Sequence, residues 1–238
     1  TDDNKCNMDG IRAFLNNKAN TGDVQFRTDC QIYKTRLGVE AGAKELKRKV
    51  DGWKSAGVPK VDLVVHSMGG LVARYYIEKL GGRDSVRSLT MMGTPNLGSN
   101  WATAVCSAWI QVALLDIFHL LDHPYDQGAC DMVPIVSPLL IKLNVFPGSH
   151  AGVTYNVLTG WKGQSKVVLP PNDCIVSVLS ATGLAFPTEL FPKTLLGSPV
   201  LHVDVDLATA FVGCGPSGIG EPNDPGVRAR VVEILLAS

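Results

Sequence analysis

Neither sign of charge is in excess: lysine and arginine together number 22, as do aspartate and glutamate. That balance leaves no net field to draw nucleic acid or an anionic membrane, so no nucleic-acid partner is expected. No C-x-x-C pair occurs, which removes the usual sign of a zinc site or a dithiol redox centre, and no metal is expected. Internal repeats and low-complexity tracts are also missing. The 238 residues suit one large α/β domain with a sizeable core, residues 1–238. The opening Thr1-Asp2-Asp3-Asn4-Lys5 lacks the charged-then-apolar pattern of a signal peptide and reads as the start of a mature chain or of a fragment. Nowhere does an uninterrupted apolar run reach the ~20 residues that a membrane span needs.

What is present is an even number of cysteines, six, in three loose groups. They permit fifteen pairings, so the connectivity stays open. Pairing within each group (Cys6–Cys30, Cys106–Cys130, Cys174–Cys214) is the expectation, since several sit in polar, loop-like contexts; it implies an oxidising, extracytoplasmic location and a secreted protein. The alternative is six buried free thiols in a cytosolic chain.

Hydrophobic periodicity sets the organisation. Asp9 to Asn17 reads as a short helix and Val24 to Arg27 as a short strand. Val39, Ala43, Leu46, Val50 and Trp53 recur at alternating spacings of four and three, one apolar helical face opposite Lys44, Glu45, Lys47, Arg48 and Lys49. Further strands are predicted at Val61–Val65, Val86–Met92, Val153–Thr159 and Val200–Val203. Apolar runs rich in β-formers, alternating with helices, predict a mostly parallel sheet with helices on both faces. Chemistry in such folds gathers at the carboxyl ends of the strands.

Val65-His66-Ser67-Met68-Gly69 lies at such an end, following the apolar Val61–Val65 run and opening the helix-like Gly69 to Ile77. A serine on a sharp strand-to-helix turn exposes its hydroxyl beside the unpaired N–H groups of a helix start, which suits a developing oxyanion. Gly69 and Gly70 fit the close packing of strand and helix. Val65 stands where the G-x-S-x-G pattern has glycine, and its β-branched side chain is expected to crowd the turn. The bland alternative is a buried strand that ends in a serine turn.

A serine nucleophile needs a histidine to take its proton and a carboxylate to hold that histidine, following in the order Ser, Asp or Glu, His in an elbow-type enzyme. Of the downstream histidines His119, His123, His150 and His202, only His202 lies late, in Pro199-Val200-Leu201-His202-Val203. The acid that precedes it is Asp173, in the turn Pro171-Asn172-Asp173-Cys174. Asp173 could instead only cap that turn, His202 could be a packed histidine beside Asp204 and Asp206, and Asp131 is a second candidate acid.

With these residues in hand the chain resembles the secreted α/β-hydrolase lipases and esterases, including the bacterial triacylglycerol lipases and an inositol-deacylase-like branch. Residues 61–74 are similar to that family's elbow throughout, Met92-Gly93-Thr94-Pro95-Asn96-Leu97-Gly98-Ser99 to the segment that ends its next strand, and Asp131-Met132-Val133-Pro134 through Asn144 to its P-x-S-x-(F/L)-L-x-x-L-N stretch. Asn172 to Ala181 resembles the loop that carries its acid, and Pro225 to Leu236 its C-terminal helix. The resemblance implies an α/β-hydrolase fold without the early N-terminal strands, and a serine carboxylic-ester hydrolase acting on hydrophobic acyl esters with no cofactor. It implies Ser67 as nucleophile, Asp173 as acid, His202 as base and the N–H of Met68 as an oxyanion donor. Small-molecule or lipid esters would be the substrates, with transient contact to a lipid interface.

Residues 100–150 are expected to form a lid or cap insertion. Within them Trp101–Leu121 carries no charge through Leu115 and is broken by Cys106, Gln111, Asp116 and His119; it reads as a lid, an acyl-binding wall or a buried core helix. One departure from the family is the absence of a His-Gly pair, which supplies its second oxyanion donor. Either residues upstream of Thr1 carry it, or the N–H of Asn7 or Met8 substitutes, or catalysis is impaired. The rival functions are therefore a catalytically impaired α/β-hydrolase-like binding protein and an acyltransferase that uses the same triad.

Overall fold

The structure is a computed structural model that describes residues 6–22, 24–115, 126–146, 148, 151–163, 168, 170–183, 193–198, 202 and 220–237. Its centre is a parallel sheet of β1 (Val61–His66), β2 (Val86–Met92), β3 (Thr154–Gly160) and β4 (Lys193–Ser198), in that spatial order. The register sets Val65 against Met91 and His66 against Met92, then Met92 against Leu158. β1 and β2 therefore end level with one another, and β3 runs on past them to Gly160.

The pleat sends alternate side chains to opposite faces, and each face meets its own helices. On one side Leu89, Met91, Tyr155 and Val157 pack with α3 (Gly38–Ser55), α4 (Met68–Lys79) and α7 (Pro138–Asn144). On the other, Met92, Leu158 and Val64 pack with Ile11 and Leu15 of α1 (Asp9–Asn16) and with Val227, Val231, Val232 and Leu235 of a C-terminal helix, α9 (Pro225–Ala237). Val39, Ala43, Leu46 and Val50, the face predicted from spacing, are the buried face of α3. The remaining helices are α2 (Lys18–Thr21), α5 (Asn100–Leu115), α6 (Gln127–Asp131) and α8 (Val178–Thr182).

Two strand predictions need correction. Val24–Arg27 forms no strand: among the described residues no strand pairs with it, Thr21 Oγ1 donates to the Val24 carbonyl, Phe26 packs on the α1–α9 cluster, and Arg27 lies over the Trp53 ring. The fourth strand is Lys193–Ser198, earlier than expected, and His202 lies outside any strand; residues 200, 201 and 203 of the predicted run are outside the described residues. Of Trp101–Leu121, α5 accounts for the part through Leu115 and the rest is outside the described residues. No helix among the described residues is long and apolar enough to cross a membrane.

Two of the expected disulfides are formed, Cys6–Cys30 and Cys106–Cys130, with Cα–Cα distances of 6.3 and 5.0 Å. Cys174 is also disulfide-bonded; Cys214, its expected partner, lies outside the described residues.

A buried arginine ties the carboxyl edge together. Arg74 of α4, wholly buried, pairs with Glu78 at 3.0 Å and donates to the side-chain carbonyls of Asn96 and Asn144, each at 3.0 Å. Asn144 in turn donates to the Asn96 carbonyl oxygen, and Asn96 to that of Ala181. The turn after β2 is thereby fixed to α4, α7 and α8.

Candidate active site

Ser67 joins β1 to α4 with φ 53° and ψ −131°, a backbone conformation that a side chain normally forbids. Such strain costs roughly 1–3 kcal/mol and persists only where surrounding structure imposes it. Here the Ser67 N–H donates to the Met92 carbonyl at 2.9 Å, and Gly70 N–H to the Ser67 carbonyl at 3.0 Å. Met68 is the first residue of α4, so its N–H has no carbonyl four residues back within the helix to bond. The two glycines differ. A Cβ on Gly70 would lie 2.7 Å from Thr94 Cβ, whereas one on Gly69 would meet nothing nearer than 3.6 Å. Close approach therefore needs Gly70 alone. Val65, expected to crowd the turn, has its Cβ at an ordinary contact distance of 3.6 Å from that Gly69 position.

Asp173 sits in a loop that its own neighbours close. Its Oδ1 accepts the N–H groups of Ile175 (3.0 Å) and Val176 (2.7 Å), and its N–H donates to the Val176 carbonyl. Oδ2 remains, and it meets His202 Nδ1 at 2.8 Å. The His202 N–H also donates to the Asp173 carbonyl at 2.9 Å. One carboxylate oxygen thus accepts from its own turn and the other meets the imidazole. Asp173 and His202 are buried, at 0% and 3% exposure.

The pair lies at the ends of the strands. The His66 ring, one residue before Ser67, is 4.6 Å from that of His202, centroid to centroid. Its Nε2–H donates to the His202 carbonyl oxygen at 2.9 Å. Burial first, then the nearness of His202, holds the His66 imidazole well below its usual range, so it is a neutral donor. Gly93, the residue after β2, has φ 52°, and a Cβ there would lie within 3.0 Å of His202 Nδ1, Asp173 Oδ2 and Glu221 Oε2. Only glycine fits there.

Glu221 was not foreseen. Its carboxyl is 1% exposed, its Oε1 accepts the Gly160 N–H at 2.7 Å at the end of β3, and its Oε2 lies 3.6 Å from His66 Nε2. Burial above all, then the charge of Asp173, drives this carboxyl well above the ordinary range. Its surroundings in the sequence, Gly220-Glu221-Pro222-Asn223, carry no motif that would have singled it out. His66 was visible only as the residue before the serine. His66, His202 and Glu221 each bring one ligand-type atom within 4.8 Å of the others. Two of those side chains are already committed, His66 to a carbonyl and His202 to Asp173, so the cluster reads as a hydrogen-bonded core.

Asp131, the second candidate acid, is engaged elsewhere. Its carboxylate accepts from Val39 N–H at 2.8 Å and Gln127 at 2.7 Å at the start of α3, and burial raises its proton affinity. His119, His123, His150, Asp204 and Asp206 lie outside the described residues.

No protein-family model matches the chain, and no curated protein sequence does. Among solved structures it is similar to the product of the gene lin2722 from Listeria innocua (TM-score 0.53, 16% identity, covering 96% of this chain and 87% of that one). It is similar to mature Bacillus licheniformis lipase BlEst2 (0.51, 18%, 69% and 67%) and to phospholipase PlaB from Legionella pneumophila (0.50, 17%, 73% and 41%). The chain spans 37% of the BlEst2 chain in its propeptide form. At these identities the likeness concerns the fold: a parallel sheet flanked by helices, the α/β-hydrolase architecture of lipase-like proteins.

Proposed function

We propose that this chain is a serine carboxylic-ester hydrolase, a lipase or esterase acting on hydrophobic acyl esters. The observation that carries the reading is the 2.8 Å contact of His202 Nδ1 with Asp173 Oδ2, at the edge where the strained Ser67 leaves β1. His202, its Nδ1–H held by Asp173, presents Nε2 as base. It takes the proton from Ser67 Oγ as the oxygen attacks the ester carbonyl, and the Met68 N–H receives the oxyanion. The imidazolium then gives that proton to the departing alcohol. Water hydrolyses the acyl-enzyme by the same proton path in reverse. A second oxyanion donor comes from the N–H of Asn7 or Met8; Met8 packs on the apolar cluster that holds Val64 and Met92, beside the ends of β1 and β2.

Residues 100–150 act as the lid or cap, anchored by α7, whose Leu139, Leu140 and Leu143 join the core. Just before α7, Ile135 (φ 68°) and Val136 stand 87% and 67% exposed, on a loop whose Pro134 abuts Gly98 beyond β2. Apolar side chains held into solvent near the catalytic edge support transient contact with a lipid interface. Disulfides support secretion. Similarity to a lipase and to a phospholipase supports the substrate class.

Turnover of a medium-chain nitrophenyl ester tests the reading. Ser67→Ala is expected to lower kcat at least about 10³-fold with the fold intact, and an organophosphonate ester should label the wild-type serine covalently. Unchanged turnover in Ser67→Ala, with no label at Ser67, overturns it.

A further inference from the structure

Two carboxyl groups converge on one imidazole, and the reaction as proposed uses only one of them. Asp173 reaches His202 from the loop after β3. Glu221 reaches the same place from the segment before α9, with an oxygen no more than 4.8 Å from a ring nitrogen of His202. We propose that Glu221 is a second acid of the site, a positioning residue able to take over from Asp173 as the anion that orients His202. The inference rests on the triad reading above.

Three observations carry it. First, Glu221 Oε2 is buried with no hydrogen-bond partner, although Oε1 takes the Gly160 N–H. An oxygen sealed from water beside an imidazole and bonded to nothing is an unused polar group, able to accept once the carboxyl ionises. Second, the space between the two acids and the imidazole is held open by Gly93, where a Cβ would lie within 3.0 Å of Glu221 Oε2, His202 Nδ1 and Asp173 Oδ2 together. Gly93 itself therefore puts no side chain between the two carboxyls. Third, the titratable groups facing Glu221 among the described residues are His66 of β1, His202 and Asp173. His66 is neutral and spends its Nε2–H on the His202 carbonyl.

Two carboxylates this close and this buried do not both carry charge. Among the described residues Asp173 has three donors, Ile175 N–H, Val176 N–H and His202 Nδ1–H, and Glu221 has one. The anion therefore sits on Asp173, and Glu221 keeps its proton, in keeping with the upward displacement that burial and the Asp173 charge impose. Removing the Asp173 carboxylate removes that repulsion. Burial still favours the protonated carboxyl, so Glu221 ionises as the pH rises, losing its proton to water that enters the space Asp173 leaves, and side-chain rotation brings Oε2 into that space to accept the Nδ1–H.

The test is a double-mutant cycle on the full chain with a nitrophenyl butyrate substrate between pH 6 and 9: wild type, Asp173→Ala, Glu221→Gln and the double variant. Circular dichroism checks folding. Asp173→Ala is expected to keep roughly 10- to 100-fold more kcat/KM than Asp173→Ala/Glu221→Gln, and the Glu221→Gln loss in the wild-type background should be at least about tenfold smaller. The activity of Asp173→Ala should also rise with pH as Glu221 ionises, a step missing from the double variant. A purely structural Glu221 would give equal losses in both backgrounds and parallel pH profiles, and that result overturns the inference. If Asp173→Ala does not fold, Asp173→Ser, which also clears the space beside His202 Nδ1, carries the same comparison. Ser67→Ala, run alongside, separates the failures. A fully active Ser67→Ala sinks the triad reading and this inference with it. An inactive one, with Asp173→Ala and the double variant equal at every pH, sinks the inference alone.

Discussion

Gly93 shows how much of this site depends on what a residue lacks. In the sequence it is one residue of the segment that ends β2, yet its φ of 52° and the three polar atoms crowded within 3.0 Å of its missing Cβ make it the floor on which Asp173, His202 and Glu221 meet. Gly93→Ala brings two costs: the left-handed backbone, roughly 1–2 kcal/mol for an L-residue, and a methyl driven against Asp173 Oδ2, His202 Nδ1 and Glu221 Oε2. The second cannot be relieved by a flexible tip, because the first two of these atoms are fixed, Asp173 by its loop and His202 by backbone bonds to Asp173 and His66. The expected outcome is a fall in kcat of about 10²-fold or more with KM little changed, together with a lower melting temperature. Steady-state kinetics and calorimetry on the purified variant check it; wild-type kcat would mean the pair is not held as described.

At the scale of elements, the edge is held by polar ties rather than by the sheet alone. Arg74 and Glu78 are ion-paired at 3.0 Å with side chains 0% and 1% exposed, and the guanidinium reaches on to Asn96 and Asn144. Breaking a buried pair from one side leaves an uncompensated charge, which costs more than replacing both partners by apolar groups. Arg74→Met should therefore destabilise the protein by about 3–5 kcal/mol, and Arg74→Met/Glu78→Leu by less. Chemical denaturation of the two variants measures the difference, and a double variant as unstable as the single one contradicts it. The same ties explain what the sequence disclosed. Strand β1, the elbow, the α3 face and the Asn172–Ser177 loop were legible because each follows from local periodicity or a short motif. The absence of a strand at Val24–Arg27 was not, since a strand needs a neighbour and the neighbour is set by the whole fold. Glu221 was not legible either: its role comes from burial beside Gly160 and His66, residues 61 and 155 positions away in the chain.

Over the whole molecule, the site leaves its mark on stability as a function of pH. His66 is buried in its neutral form, with its proton affinity held down by burial and by His202. The unfolded chain binds a proton there below about pH 6.5 and the folded one does not, so the stability tied to His66 is present above that pH and is lost as the pH falls. Glu221 acts in the opposite sense. Its folded carboxyl keeps a proton that the unfolded chain releases above about pH 4.3. The stability tied to it is complete below that value and drains away as the pH rises towards its raised folded value. The folded state then binds one proton more than the unfolded, which gives a slope of up to about 1.4 kcal/mol per pH unit, or about 3–5 °C in Tm for a chain of this size. Glu221→Gln keeps the shape of the protonated acid and cannot ionise, so it removes that slope. Its Tm relative to wild type should climb as the pH is raised above 5, whatever the offset between the two proteins at acid pH. His66→Gln should do the reverse, gaining on wild type as the pH drops below 6.5. Thermal melts from pH 5 to 9 decide the matter: parallel curves for wild type and Glu221→Gln would mean that the carboxyl is ionised in the folded protein, and the division of charge between Glu221 and Asp173 would be wrong.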